Sequence, residues 1–333
     1  MAITTSSLPA AARTPWGWIL LALLLVALAA VPFLSASSQT FLSIVYAKSV
    51  AVLGLILLLQ AGQVSFGHGM FFATGAFTVA FLGRWMGGGG DLGVVLLASI
   101  ATSVLLALVV GVFVVRYRYI FFGMLNLAFS MVLYAILEKF FHLTGGSDGL
   151  RIRRPTAFGI GFTRSEFDTV LYYLTLALAF LCALLIWRYL KSPLGQALKA
   201  IKSNETRLEY IGLSARFVML TGYVISAALC GIGGALLGII QGIATPEYSY
   251  WTRSAEFVFI AILGGVGHVA GALTGTFVYE AVRTYAAAFV ADSWQLILGA
   301  VLLAIILKAP NGITGLVEGM VARRRAGQGE DAR

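Results

Sequence analysis

The chain has 333 residues, of which 59% are hydrophobic and 11% charged. Soluble domains carry roughly 25% charged residues, so a soluble globular enzyme is excluded, and the continuous apolar runs exclude the alternating pattern of a membrane β-barrel. The formal net charge of +9 reads as membrane topology and attraction to anionic lipid, not as nucleic-acid binding.

A membrane-crossing helix needs about 20 apolar residues, and the chain supplies many such runs. The expected class is all-α, a polytopic helical membrane protein with about ten membrane segments. They fall at 16–34, 41–60, 64–84, 93–115, 119–137, 169–190, 217–240, 254–266, 269–289 and 292–308, of which 254–266 is too short to span as a regular helix and forms a broken, Gly-rich pair with the next. The first follows Arg13 and precedes Ser35-Ala36-Ser37, an arrangement shared by signal peptides. Its length favours a retained helix.

The stretch 60–76, QAGQVSFGHGMFFATGA, places Ser65, Gly67 and His68 at the mouth of a membrane segment. Polar, Gly-interrupted segments mark substrate pathways; glycine-mediated packing around a satisfied histidine reads the same residues blandly. Further on, 119–134 carries Asn126 and Ser130 one helical turn apart among aromatics. They line a pocket for a small polar or aromatic solute, or they hydrogen-bond between helices. The 138–168 loop is the longest external segment and holds five Lys and Arg residues beside Glu138, Asp148, Glu166 and Asp168. Cys182 and Cys230 lie in apolar runs without partner spacing and read as packing residues.

One polar, amphipathic segment interrupts the apolar pattern at 192–216, SPLGQALKAIKSNETRLEYIGLSAR. Ser192-Pro193 is a helix start. Leu194, Ala197, Leu198, Ile201, Leu208 and Ile211 recur on one face; Gln196, Lys199, Lys202, Ser203, Thr206 and Arg207 take the other. Ser203 or Asn204 caps a second short helix, and Gly212 ends it. Such a pair fits a groove on a soluble partner or lies on the membrane surface.

The last motif is 264–275, GGVGHVAGALTG, in which Gly267, Gly271 and Gly275 form two overlapping GxxxG steps. Helix packing is the default reading of GxxxG. The minority reading places Gly264, Gly265, His268 and Thr274 along a pathway. Ionisable residues inside apolar runs are few: Lys48, Glu256, and Glu280 with Arg283 at i, i+3. A proton- or sodium-coupled carrier needs carboxylates arranged for relay, and their scarcity argues against one.

With 192–216 placed inside, thirteen Lys and Arg residues fall on the cytoplasmic side (13, 116, 118, 191, 199, 202, 207, 216, 308, 323, 324, 325, 333). Seven fall outside (84, 139, 151, 153, 154, 164, 253). The bias puts both termini in the cytoplasm. Residues 1–15 then form a cytoplasmic tail, 16–308 the transmembrane domain, with a periplasmic loop at 138–168 and a cytoplasmic loop at 192–216, and 309–333 a second tail.

No GxxxxGK[ST] phosphate loop occurs, since the glycine run 87–90 is followed by Asp91, and no HExxH or GxSxG is present. His68, His142 and His268 lie on separate segments, which counts against a lipid-modifying enzyme and a metal site. The chain is read as no enzyme, with no cofactor of its own.

Taken in order, GQVSFGHGMFFATGAF, YIFFGMLNLAFSMVLY, SPLGQALKAIKSNETRLEYIGLSARFVMLTGYVISAALCGIGGAL, EFVFIAILGGVGHVAGALTGTFVYEAVR and KAPNGITGL resemble the LivM-type permeases. These are integral-membrane subunits of branched-chain amino acid ABC importers. The resemblance implies that 193–216 is the coupling segment inserted into an ATPase subunit, with Ala197, Ala200, Asn204, Glu205, Glu209 and Gly212 on the family pattern. Arg207, Leu208 and Tyr210 replace its usual small residues. The expected docking set is the six residues on the family pattern together with Leu194, Leu198 and Ile201 from the apolar face. The resemblance further implies a second homologous permease, two ATPases holding ATP and Mg, a periplasmic solute-binding protein and a bacterial inner-membrane location. The family extends to urea, amides and aromatic acids, so the substrate is not carried over. A self-contained carrier or channel is the alternative.

Overall fold

The computed structural model describes residues 28, 31–33, 35–87, 90–156, 161–210, 212–289, 294–309 and 312–316. In chain order the helices are α1 (Ala36–Gln60), α2 (His68–Trp85), α3 (Leu92–Val114), α4 (Tyr119–Lys139), the short α5 (Phe141–Thr144) and α6 (Arg164–Lys191). There follow α7 (Pro193–Ser203), α8 (Glu205–Tyr210), α9 (Ala215–Gln241), α10 (Trp251–Gly264), α11 (Ala270–Phe289) and α12 (Trp294–Lys308). By length and composition α1, α3, α4, α6 and α9 are each able to cross a membrane. The chain is an all-α, multi-pass membrane protein.

Nine of the ten expected segments coincide with a helix to within a few residues. The segment at 16–34 lies outside the described residues apart from Leu28 and a single 3-10 turn, Val31–Phe33. The segment expected at 254–266 is α10, whose 14 residues reach about 21 Å, short of a regular span. The 138–168 loop holds more structure than its composition suggested. Its two-residue strand β1 (Leu150–Arg151) pairs antiparallel with β2 (Ile243–Ala244), tying the loop to the end of α9.

The bundle is built around α1 and α9. α1 is buried along nearly its whole length, whereas α3, α4 and α6 bury one side and expose rows of Leu, Val and Phe. An apolar exposed face suits helices surrounded by lipid. What lets α9 touch α1, α2 and α3 together is the absence of side chains at the crossings. A Cβ on Gly234 would collide with the Phe72 carbonyl of α2, and one on Gly231 with Ser103 of α3. Close backbone approach of this kind supplies the dispersion contacts that hold membrane helices together, where no hydrophobic driving force separates protein from lipid.

Four connections gather at one end of the bundle. The Tyr119 N–H donates to Gln63 Oε1 at 2.7 Å, Gln60 Nε2 donates to the Val266 carbonyl at 3.1 Å, Arg118 pairs with Glu205, and Lys202 lies against Gly62. At the opposite end the Leu92 N–H reaches the Thr156 carbonyl at 2.8 Å, and β1 meets β2.

Candidate functional site

The 192–216 segment folds as two helices, α7 and α8. Ser192 caps α7 by accepting from the Gly195 N–H at 3.3 Å, with Pro193 in the first turn. Asn204, not Ser203, caps α8, its Oδ1 accepting from the Arg207 N–H at 3.1 Å. Gly212 ends the unit at φ 83°, a left-handed conformation that glycine adopts without strain.

The amphipathicity is as expected, but its apolar side is turned inward. Ala197, Leu198, Ile201 and Leu208 are buried, and Leu198 rests on Gly222 of α9. Of the expected docking residues, Ala197, Leu198 and Ile201 therefore belong to the core of this chain. Ala200 is half-buried, while Leu194, Asn204, Glu209 and Gly212 are exposed. Ile211 lies outside the described residues. Glu205 is held by Arg118, which donates from Nε at 2.9 Å and from a terminal nitrogen at 2.7 Å. The surface left open carries Lys202, Arg207 and Glu209, with Tyr210 85% exposed and Leu194 and Leu213 also exposed. Partial burial lowers the pKa of Lys199 from its ordinary value, because desolvation disfavours the ammonium.

The pathway residues sort into two groups. Ser65, Gly67, His68 and Asn126 come together in a fully buried neutral cluster. His68 Nδ1 is 2.7 Å from Ser65 Oγ and its Nε2 is 2.6 Å from Ser226 Oγ. Ser226 donates to the Gly54 carbonyl, Tyr223 donates to Asn126 Oδ1 at 2.5 Å, and Asn126 Nδ2 donates to the Phe122 carbonyl at 2.8 Å. Gly67 gives the room: a Cβ there would strike the Asn126 backbone. One turn along α4, Ser130 Oγ donates to the Ser249 carbonyl at 2.7 Å. Gly264, Gly265, His268 and Thr274 form the second group, at the α10–α11 turn. There the Gly264 backbone lies against Gly271, and the Gly264 carbonyl accepts from Thr314 Oγ1 at 2.7 Å. His268 is half-buried, and Thr274 Oγ1 donates to the Ala270 carbonyl at 3.1 Å.

A third group escaped the sequence reading. Lys48, 1% exposed, donates to Glu256 Oε1 at 2.6 Å and also to Glu280 Oε1. Arg253 donates to Glu256 Oε2 at 2.6 Å, and Arg283 is 3.8 Å from Glu280 Oε2. The guanidinium of Arg253 lies 5.5 Å from the Tyr248 ring centre, and Lys48 Nζ lies 6.0 Å from that of Tyr279. The sequence shows Lys48, Glu256, Glu280 and Arg283 singly. They converge from α1, α10 and α11: the i, i+3 neighbours Glu280 and Arg283 lie together, and Lys48 joins Glu280 to Glu256 and Arg253. The available signal was an ionisable residue in each of three apolar runs, and every one of them needs a partner. Among the described residues no three His, Cys, Asp or Glu side chains converge as metal ligands.

A bundle of apolar helices with buried polar clusters and one docked amphipathic hairpin is the architecture of a polytopic integral membrane protein. Comparison of sequences narrows the class. The profile of the family described as "Branched-chain amino acid transport system / permease component" matches residues 37–306, and the chain belongs to that family. It is 32% identical over 272 residues to the high-affinity branched-chain amino acid transport system permease protein LivM of Salmonella typhimurium, covering 74% of this chain and 63% of that protein. Identity to LivM of Escherichia coli K12 is 29% over 296 residues, 82% of this chain and 68% of the relative. LivH of Escherichia coli K12 is 24% identical over 274 residues, 77% of this chain and 87% of the relative. The chain thus spans about two thirds of the length of the LivM proteins it matches. No solved structure matches.

Proposed function

We propose that the chain is a permease subunit of an ABC importer in the bacterial inner membrane. It moves a small solute from periplasm to cytoplasm, a branched-chain or other amino acid or a related small polar or aromatic acid or amide. In this reading both termini are cytoplasmic and there are about ten membrane segments, α10 and α11 forming a broken, Gly-rich pair. ATP and Mg are bound by separate ATPase subunits, a second homologous permease completes the pore, and a periplasmic solute-binding protein delivers the solute.

The observation that carries the reading is the α7–α8 hairpin. Its apolar face is spent on α9 and its polar face, with Tyr210, is left open. A hairpin fixed to a central helix transmits force where a loose loop does not: an ATPase gripping the open face moves α9 through Leu198 and the start of α4 through the Arg118–Glu205 pair. The self-contained carrier is disfavoured because Glu256 and Glu280, the carboxylates a proton relay would use, are each engaged by cations.

The test is to purify the tagged chain from its native membrane, identify its companions by mass spectrometry, and measure uptake in liposomes with and without ATP. A second permease, ATPases and ATP-dependent uptake are expected. A chain that emerges alone and transports without ATP overturns the proposal. Within the complex, Tyr210→Ala with Glu209→Arg alters the open face only. Aromatic residues at such contacts carry about 2 kcal/mol or more, so ATP-driven uptake falls by tenfold or more while membrane insertion and melting temperature stay unchanged.

A further inference from the structure

Among the described residues Tyr119 is the one non-glycine with a positive φ, 54°. That conformation brings Cβ up against the following carbonyl, and it persists where the surroundings impose it. Packing of the ring does not impose it, since the side chain is 67% exposed. The constraint acts on the backbone. Tyr119 opens α4, where an N–H has no partner within the helix, and Arg118 before it gives no side-chain cap. Gln63, 1% exposed, supplies the acceptor from the α1–α2 connection, its Oε1 taking the Tyr119 N–H at 2.7 Å.

The turn ahead of Tyr119 is clamped from its other side. Arg118 folds back to donate to the Val115 and Tyr117 carbonyls, and its guanidinium grips both oxygens of Glu205 on the hairpin. Residues 115–119 are thus held between α8 and Gln63. Beyond Tyr119, the first turns of α4 lie along 63–67. A Cβ on Gly123 would stand 2.9 Å from the Val64 carbonyl oxygen, and one on Gly67 would stand 2.3 Å from that of Asn126. Gln63, Val64 and Gly67 therefore meet residues 119, 123 and 126, successive points on one face of α4. The two glycine contacts are steric and resist only compression. The hydrogen bond from Tyr119 to Gln63 resists separation as well. Lys202 of α7 touches the same connection at Gly62, by van der Waals contact through its flexible stem.

We infer that Gln63 is a positioning residue for transport: by holding the Tyr119 N–H it makes the 115–119 turn and the 63–67 stretch move as one body, so that movement of the hairpin reaches the His68 cluster. Ser65, Gly67 and His68 follow Gln63 directly, and Asn126 lies two turns along α4 from Tyr119. Gln63 itself touches no solute. The inference deepens the importer reading and rests on it only for what moves the hairpin, an ATPase.

The test uses the full chain in its purified complex and the variant Gln63→Met, which keeps the length and removes the acceptor. Amide hydrogen exchange is measured first, without ATP. Glu205→Gln loosens the grip on Arg118 and should speed exchange at 64–70 by about fivefold, the effect of one hydrogen bond. With Gln63→Met already present, adding Glu205→Gln should change nothing there. Uptake of tritiated leucine per ATP hydrolysed, in proteoliposomes, comes second. Gln63→Met should lower it by about fivefold at an unchanged ATPase rate. Adding Tyr119→Gly should restore it, because glycine holds φ 54° without an anchor; a loss of stability alone would not be rescued in this way. An effect of Glu205→Gln at 64–70 that survives Gln63→Met, or an unchanged uptake per ATP in Gln63→Met, overturns the inference. Should Gln63→Met fail to assemble, Tyr119→Val takes its place, since a β-branched residue resists positive φ. It should lower the uptake per ATP while Tyr119→Gly does not, and equal values in the two overturn the inference. The expected exchange pattern in a complex that neither hydrolyses ATP nor takes up leucine keeps the joint and sinks the importer reading. ATP-driven uptake with an exchange effect indifferent to Gln63 does the reverse.

Discussion

The two buried polar clusters solve the same problem in different ways. Around His68 every group is neutral, and each donor faces an acceptor: Ser65 and Ser226 flank the imidazole, Tyr223 meets Asn126, and Asn126 returns to its own helix. Around Lys48 the contacts are ionic: Glu256 and Glu280 both accept from the lysine, with Arg253 and Arg283 beside the two carboxylates. Neutral hydrogen bonds contribute about 1 kcal/mol each and leave a modest deficit when one is removed. Buried ions leave a large one, since the surviving partner is stranded in low dielectric. The neutral cluster thus suits a fixed joint between α1, α2, α4 and α9, and the ionic cluster ties α1, α10 and α11 together only while each charge keeps its partner.

The sharpest way to break this contrast is Lys48→Met, which takes from Glu256 and Glu280 the cation they share and leaves them to Arg253 and the more distant Arg283. We expect a loss of about 3–5 kcal/mol, read as a large drop in melting temperature or in yield of folded protein. Adding Glu280→Gln to Lys48→Met removes the carboxylate that depends most on the lysine while keeping the Arg253–Glu256 pair, and should recover part of that loss; failure to recover would mean that packing, not charge, fixes the site. The neutral cluster should respond less. His68→Phe removes both serine contacts while filling the space, at a cost of about 1–3 kcal/mol. Tyr223→Phe deletes one hydroxyl and one bond to Asn126, at about 1 kcal/mol. Smallest of all is the half-exposed Arg118–Glu205 pair, whose double-mutant cycle should give under about 1 kcal/mol of stability. Its reversal, Arg118→Glu with Glu205→Arg, should keep uptake near wild type if the pair acts as a strut, while either single change lowers it.

The neutral cluster was largely legible in the sequence because two of its pieces are local. Ser65, Gly67 and His68 stand within one short motif, and Asn126 stands out as an amide on an aromatic helix. Ser226 and Tyr223 were not legible, since a serine and a tyrosine in an apolar helix carry no pattern of their own. The ionic cluster was invisible as a cluster, because Lys48 and Glu280 are 232 positions apart and only the meeting of α1 with α10 and α11 makes them partners. The hairpin at 192–216 is two capped amphipathic helices, as its sequence predicts, and three residues of the expected docking set, Ala197, Leu198 and Ile201, are buried within this chain. Periodicity tells that Leu198 and Ile201 share a side with Leu208; it does not tell whether that side is buried by the same chain or by another.

What the sequence determined by itself was whatever depends on neighbours along the chain. That covers the apolar runs and their approximate limits, the Ser192-Pro193 and Gly212 boundaries, and family membership through motifs in order. What tertiary structure decided was whatever depends on neighbours in space. The glycines of α9 let three helices close on one, the apolar face of α7 found its cover in α9, and five ionisable groups from three helices were brought into one network. The division follows from the energetics. Helix formation and capping are set by hydrogen bonds within a few residues, whereas burial of a charge is tolerated only where distant parts of the fold supply its counter-charge.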